Sequence, residues 1–127
     1  MVTFMAVDKL IAHEETNPER LRQVLSDISE RGVLELPLLV DRESSIILDG
    51  HHRFQALQSL GKKTVPVRLV DYLSADIEVY PRRSDIPVTK QIVLNTGKAH
   101  HLFPEKTTRH VMKHRQRPAN VPLRSFT

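Results

Sequence analysis

The sequence predicts a single domain of the α/β (α+β) class. Ile46-Ile47-Leu48 ends abruptly in Asp49-Gly50, and a helical pattern begins at once, as in a buried strand, a tight turn and a helix start. Short β-branched runs before and after it alternate with stretches of helical spacing. A length of 127 residues suits one domain with a real core, and 39% hydrophobic against 27% charged residues argues against wholesale disorder.

Val2 to Val7 is apolar and β-branched enough for a first strand, and His13-Glu14-Glu15-Thr16 follows as a polar turn. Asn17 then offers a helix cap, with Pro18 at the first helical position. Leu21, Val24, Leu25 and Ile28 share one buried face, and Gly32 closes the helix in a left-handed conformation. Leu36 to Val40 and Ser45 to Leu48 read as two strands of a hairpin, turned at Asp41 to Ser44. A second helix runs from about Gly50 to Leu60, burying Phe54, Leu57 and Leu60, and stops at Gly61. Val65, Val67 and Leu69 mark another strand, with Pro66 favouring a sheet edge or the strand's beginning. Ile77, Val79 and Tyr80 add one more, and Pro81 to Asp85 reads as a linker-like break. Pro87 to Thr96 predicts a third helix with Val88 and Ile92 inward, ended by Gly97. His100 to Thr127 has three prolines and little periodicity, and is expected to be mostly loop.

The charge is unevenly placed. Six of the 19 basic residues follow Glu105 with no acid among them, leaving 13 basic against 15 acidic before that point. A basic tail suits nucleic acid or phosphate ligands, or is simply a solvated end. The absence of Cys excludes disulfides, thiolate metal sites and cysteine catalysis, and fits a reducing compartment. With no 18-residue apolar run and no signal-peptide shape, the expected location is the cytoplasm, away from membranes.

Three groups could do chemistry. The first is Asp49-Gly50-His51-His52-Arg53, where a helix start presents unpaired amides beside imidazoles and a guanidinium fork, a setting that attracts phosphate. Asp49 is either a turn cap or a carboxylate for Mg²⁺ and nucleotide. His51 and His52 are neighbours that point to different sides of a helix, so a shared zinc ion is disfavoured. The second is His13-Glu14, where Glu14 is either a helix-start charge or the acceptor of an attacking hydroxyl's proton. The third is Lys106-Thr107-Thr108-Arg109-His110, either a solvated loop or a compact set of oxyanion donors. Asn95-Thr96-Gly97-Lys98 lacks the glycine spacing of a P-loop.

Leu48-Asp49-Gly50-His51-His52-Arg53, followed by Ala56-Leu57 and Leu60-Gly61, resembles the signature of the ParB/sulfiredoxin superfamily. That resemblance implies one α/β domain, a small mixed sheet flanked by helices, which binds nucleotide at the turn-helix. Sulfiredoxin-like members need a Cys where this chain has His51. ParB partition proteins carry two adjacent arginines where it has His52-Arg53, with a further helix-turn-helix domain. The three motifs in this order are most similar to the free-serine kinase branch, which makes O-phospho-L-serine. The likeness covers about residues 3 to 111.

By that resemblance Glu14 would be the general base, and Asp49 would assist catalysis and position Mg²⁺. Gly50, His51, His52 and Arg53 would hold the phosphates of ADP or ATP. Lys106, Thr107, Thr108, Arg109 and His110 would bind phosphate, with His13, Thr107 and Arg109 also on the serine or similar hydroxy amino acid. Residues 1-111 would then be the catalytic domain and 112-127 a basic C-terminal tail. Two departures stand out: a long segment of the archaeal kinase is missing between Tyr80 and Lys106, and its aromatic-rich stretch is replaced by Val79-Tyr80-Pro81-Arg82-Arg83. The competing expectation is a nucleotide-binding, DNA-associated ParB-like regulator without kinase activity, with a nucleotide-binding homologue that catalyses nothing as a third.

Overall fold

The computed structural model describes residues 1–127. Its centre is β3 (Leu38–Asp41), all four residues of which are buried. It pairs antiparallel with β4 (Ile47–Asp49) and parallel with β5 (Thr64–Val70), and β5 pairs antiparallel with β1 (Thr3–Ala6). The sheet is therefore mixed, in the order β1-β5-β3-β4.

Alternation along these strands builds a core on each face. Leu38 and Val40 of β3, with Ile47 of β4, point to one side. There they meet α1 (Pro18–Arg31) through Ile28 and α2 (His51–Ser59) through Phe54, Ala56 and Leu57. Leu39, Ile46 and Leu48 point to the other side. They meet Val93 and Leu94 of α3 (Lys90–Lys98), together with Tyr72 and Ile77. A strand buried on both faces selects apolar side chains, and the one polar residue of β3, Asp41, sits at its end with its carboxylate occupied by Ser44 and the Tyr72 N–H.

The first helix forms as its sequence predicts. Asn17 Oδ1 accepts the Arg20 N–H at 2.9 Å, Pro18 opens the helix, and Gly32 ends it at φ 69°. The hairpin turn is tied by Asp41, whose Oδ2 accepts from the Ser44 N–H and hydroxyl at 3.1 and 2.6 Å.

Several expectations need correction. Pro66 is neither at an edge nor first in its strand: β5 lies inside the sheet, with Pro66 opposite Phe4. Pairing with β3 begins only at Val67, so Pro66 has a strand neighbour on one side alone. Leu60 is exposed at 37%, because α2 ends at Ser59 before another turn could face the core. The third helix is shifted to Lys90–Lys98 with Thr89 as its cap, and it buries Val93 and Leu94. Val88 packs half-buried against the same core from ahead of the helix, and Ile92 is only half-buried. Gly97 lies within it, pressed on the sheet where an added Cβ would come 2.6 Å from Ile46 Cδ1.

The stretch read as a linker and the stretch read as loop are joined. β6 (Ile77–Pro81) pairs antiparallel with β7 (Thr108–Met112), the Arg82 N–H reaches the Thr107 carbonyl, and the Arg83 guanidinium reaches the Glu105 carbonyl. The last residues also fold back. β8 (Val121–Pro122) pairs with β2 (Val33–Leu34), and Phe126 is buried in the first core. Lys62 Nζ donates to the Leu123 and Phe126 carbonyls at 2.7 and 2.9 Å while lying 4.9 Å from the Phe126 ring centre.

Candidate active site

The loop between β1 and α1 is laid along the free edge of β4. Ile11 bridges Ile46 in parallel, with the Ile47 N–H donating to the Ile11 carbonyl at 2.8 Å. On its other side the loop is fastened to Phe103, whose N–H reaches the His13 carbonyl at 2.8 Å. His13 and Glu14 are thus carried into the space between the end of β4 and the start of β7. The expected polar turn is instead a packed segment in which His13 is fully buried.

The glycine at the strand–helix junction has a geometric cause. Gly50 has φ 106°, and a Cβ there would come 2.7 Å from Leu38 Cδ2 and 2.8 Å from an Arg53 terminal nitrogen. The first intrahelical bond of α2 runs from Phe54 N to Gly50 O, so the N–H groups of His51, His52 and Arg53 have no helical acceptor. No side chain caps this end, and its first turn holds no acid. A bare, positively flanked helix start is electrostatically unfinished and suits an anion.

The two imidazoles of that turn are engaged in holding the loop. His51 Nε2 accepts the His13 N–H at 3.1 Å, and His52 Nε2 accepts the Asn17 N–H at 3.0 Å. Each ring therefore carries its proton on Nδ1, leaving that one donor for other partners. Burial, then Arg20, lowers the pKa of His52, with Glu105 opposing. Burial, then the neighbouring His13 and His110, holds His51 well below the usual imidazole value.

Arg53 is half-buried and donates to the Pro37 carbonyl at 3.1 Å, while its Nε is buried with no partner. Burial lowers its pKa and the Asp49 carboxylate raises it. Asp49 itself is exposed at the end of β4.

Glu14 is held from the far end of the chain. Its Oε1 accepts the Thr108 N–H and the Thr108 hydroxyl, each at 2.9 Å, whereas Oε2 has no protein partner. Thr108 Oγ1 also lies 3.2 Å from His13 Nε2. Thr107 is buried and spends its hydroxyl on the Pro104 carbonyl at 2.6 Å. Lys106, at φ 56°, and Arg109 are exposed. His110 Nε2 meets the Tyr72 hydroxyl at 2.8 Å. Burial and the nearby His13 lower the His110 pKa to about 3, and burial lowers that of His13 to about 4 against the bond to Ile47.

These groups share one cavity of about 880 Å³, lined by Glu14, Asp49 to Arg53, Lys106, Thr108, Arg109 and His110. His13 and Thr107 lie behind its wall. Sequence reasoning missed Arg20 and Gln23 of α1, and Arg82, all of which line it. Their only signal was charge or polarity on a helix face and after a strand, which no local pattern distinguishes from solvated surface. Tyr72, the partner of His110, was missed as well.

The donor set suits a nucleotide. The orphaned Arg53 Nε, the unpaired amides and the exposed cations are acceptor-seeking groups in one concavity. No group of three or more His, Asp or Glu is arranged to hold a metal ion. Asp49 is a single exposed carboxylate lining this cavity, a donor that would fit Mg²⁺ only with phosphate oxygens and water completing the set. No helix is long and apolar enough to cross a membrane.

Residues 2–80 match the family model described as the ParB N-terminal domain. The chain is 36% identical over 77 residues to an ATP-dependent L-serine kinase of Staphylothermus marinus, covering 58% of this chain and 31% of that one. It is 33% identical over 81 residues to an ADP-dependent L-serine kinase of Thermococcus kodakarensis, covering 61% and 34%. Each match spans about a third of the curated relative's length. The fold superposes on a free serine kinase in complex with AMP with a TM-score of 0.89, at 18% identity, over 99% of this chain and 93% of that one.

Proposed function

The chain belongs to the ParB N-terminal domain family, and from that premise we propose that it is a free-serine kinase. It transfers a phosphoryl group from ATP or ADP to the hydroxyl of L-serine, or of a similar hydroxy amino acid, giving O-phospho-L-serine. The observation that carries this reading is the meeting of three separated motifs at one cavity, with Glu14 Oε2 left unpartnered among cations.

The amides of His51, His52 and Arg53 and the Arg53 guanidinium receive the nucleotide phosphates. Lys106 and Arg109 screen charge on the transferred group. Glu14 Oε2 takes the proton of the serine hydroxyl as the new O–P bond forms. Thr108 holds Glu14 in place for that step through its two bonds to Oε1. Asp49 would hold Mg²⁺, which when bound neutralises charge on the phosphate oxygens. His13 and Thr107 act from behind the wall, shaping the loop and strand that carry Glu14 and Thr108. A DNA-associated regulator would give the open oxygen of Glu14 nothing to do.

The test is ³¹P NMR of the protein with Mg²⁺, L-serine and, separately, ADP or ATP, with Glu14→Gln as control. A phosphomonoester signal that requires serine and Glu14 supports the kinase and identifies its donor. Nucleotide binding without such a signal across a panel of hydroxy amino acids overturns it.

A further inference from the structure

Thr108 has one hydroxyl proton and two neighbours that both require it. His13 Nδ1 lies 2.7 Å from the Ile47 carbonyl, which can only accept, so Nδ1 carries a proton. His13 is fully buried and uncharged near neutrality, so its Nε2 is a bare lone pair. That lone pair is 3.2 Å from Thr108 Oγ1, and the carboxylate oxygen Glu14 Oε1 is 2.9 Å from the same hydroxyl. While Glu14 is ionised, only one of these two contacts can hold a hydrogen. The Thr108 N–H, 2.9 Å from Oε1, supplies a second donor that does not move.

We infer that His13 is a positioning residue that sets the proton affinity of Glu14 by competing with it for the Thr108 hydroxyl proton. With the hydroxyl turned to Glu14, the carboxylate has two donors and is the weaker base. With the hydroxyl turned to His13 Nε2, Oε1 loses a donor and the carboxylate takes a proton more readily. Once Glu14 is protonated on Oε2, its Oε1 is a carbonyl oxygen and a poorer acceptor than a carboxylate, so the Thr108 O–H turns to His13 Nε2 while the Thr108 N–H stays on Oε1. The buried imidazole thus favours the state that the base reaches after accepting the substrate's proton. No net charge moves to His13, and the proton stays on Glu14.

The catalytic meaning rests on Glu14 being the base of the proposed kinase, whereas the hydrogen-bond competition can be measured without turnover. His13 faces His51 from α2, with ring centres 4.6 Å apart, and His110 from β7, at 5.7 Å. Glu14 shares its cavity with Asp49, Arg53, Lys106 and Arg109. All of these stay in place in the variants below, so a difference between paired variants belongs to the Thr108 hydroxyl.

The experiment follows the Glu14 side-chain carboxyl by ¹³C NMR titration in four proteins: wild type, Thr108→Val, His13→Asn, and the double variant. His13→Asn keeps an amide donor for the Ile47 carbonyl and removes the Nε2 acceptor. In the His13→Asn background the hydroxyl belongs to Glu14 alone, so Thr108→Val raises the Glu14 midpoint by about one pH unit. With His13 present the hydroxyl is shared, and the same change raises it by less than about half a unit. Equal shifts in both backgrounds overturn the inference. Should His13→Asn not fold, the ¹⁵N signal of His13 Nε2 decides between wild type and Thr108→Val. Loss of the hydroxyl moves it toward a free lone pair while Nδ1 holds, and no movement overturns the inference. If the wild type makes no phosphoserine the kinase reading fails, and the titration still decides the competition.

Discussion

The ring of His51 accepts the backbone N–H of His13 at 3.1 Å, and its neighbour His52 accepts that of Asn17 at 3.0 Å. The helix start read as a phosphate site is thereby bolted to the loop bearing Glu14. His52→Ala removes one bolt, and nothing else in the structure accepts the Asn17 N–H. The loop should loosen, with faster hydrogen exchange at Asn17 and phosphoserine formation reduced by about tenfold to a hundredfold. Exchange mass spectrometry and the ³¹P assay read the two effects.

Glu14→Gln should lower the rate of phosphoserine formation by about 10² to 10⁴ while leaving nucleotide affinity and melting temperature near their original values. The amide oxygen still accepts the Thr108 N–H, and the Thr108 hydroxyl keeps an acceptor in that oxygen or in His13 Nε2, so the fold has no reason to shift. Single-turnover kinetics beside nucleotide calorimetry separate the chemical step from binding.

Gly50→Ala meets two obstacles at once, a φ of 106° and a Cβ within 2.8 Å of both Leu38 and Arg53 atoms. The expected cost is about 2 to 4 kcal/mol, with nucleotide binding weakened as Arg53 is displaced. Urea denaturation and calorimetry check both.

Gly97→Ala would ordinarily stabilise a helix interior by about 1 kcal/mol. Here its Cβ would stand 2.6 Å from Ile46 Cδ1, in a side chain with no exposure, so the change should destabilise. Adding Ile46→Val deletes that methyl and should recover part of the loss. A double-mutant cycle in urea reads the coupling.

Stability should fall on the acid side of the imidazole range. His13, His51, His52 and His110 all have folded pKa values below the 6.5 of a free imidazole side chain, with His13 at about 4 and His110 at about 3. The unfolded chain thus binds protons that the folded chain refuses. Stability is level above about pH 7 and declines as pH drops through 6.5, until the folded rings protonate near 4 and 3. Denaturation midpoints measured between pH 8 and 4 give the curve. His110→Asn should make its acid limb shallower.

The sequence spoke most clearly where local physics is strong. The Asn17 cap, the Gly32 stop and the apolar run into Gly50 all act over a few residues, and all are seen. Pro66, Leu60 and Gly97 were misjudged because their settings depend on which strand or side chain arrives from elsewhere. The same holds for the cavity. Glu14, Asp49 and the Lys106 to His110 run could be singled out by composition, but Arg20 and Arg82 join them only through the packing of α1 and the pairing of β6 with β7. The burial of His13 was invisible for that reason: an imidazole between Ala12 and Glu14 gives no hint of the Ile47 carbonyl and Thr108 hydroxyl awaiting it.

Glu14 and Thr108 stand 94 residues apart in the chain. During synthesis the loop that carries Glu14 emerges ahead of β4 and α2, and the strand that fixes its carboxylate emerges well after β5. A nascent chain can therefore hold the whole four-stranded sheet, with a finished helix start at Gly50, and still lack a fixed Glu14 carboxylate. Closing so long a loop is slow compared with forming the local hairpin or either early helix. Competence for chemistry is thus reached as a late event in folding, after the scaffold has already been secured.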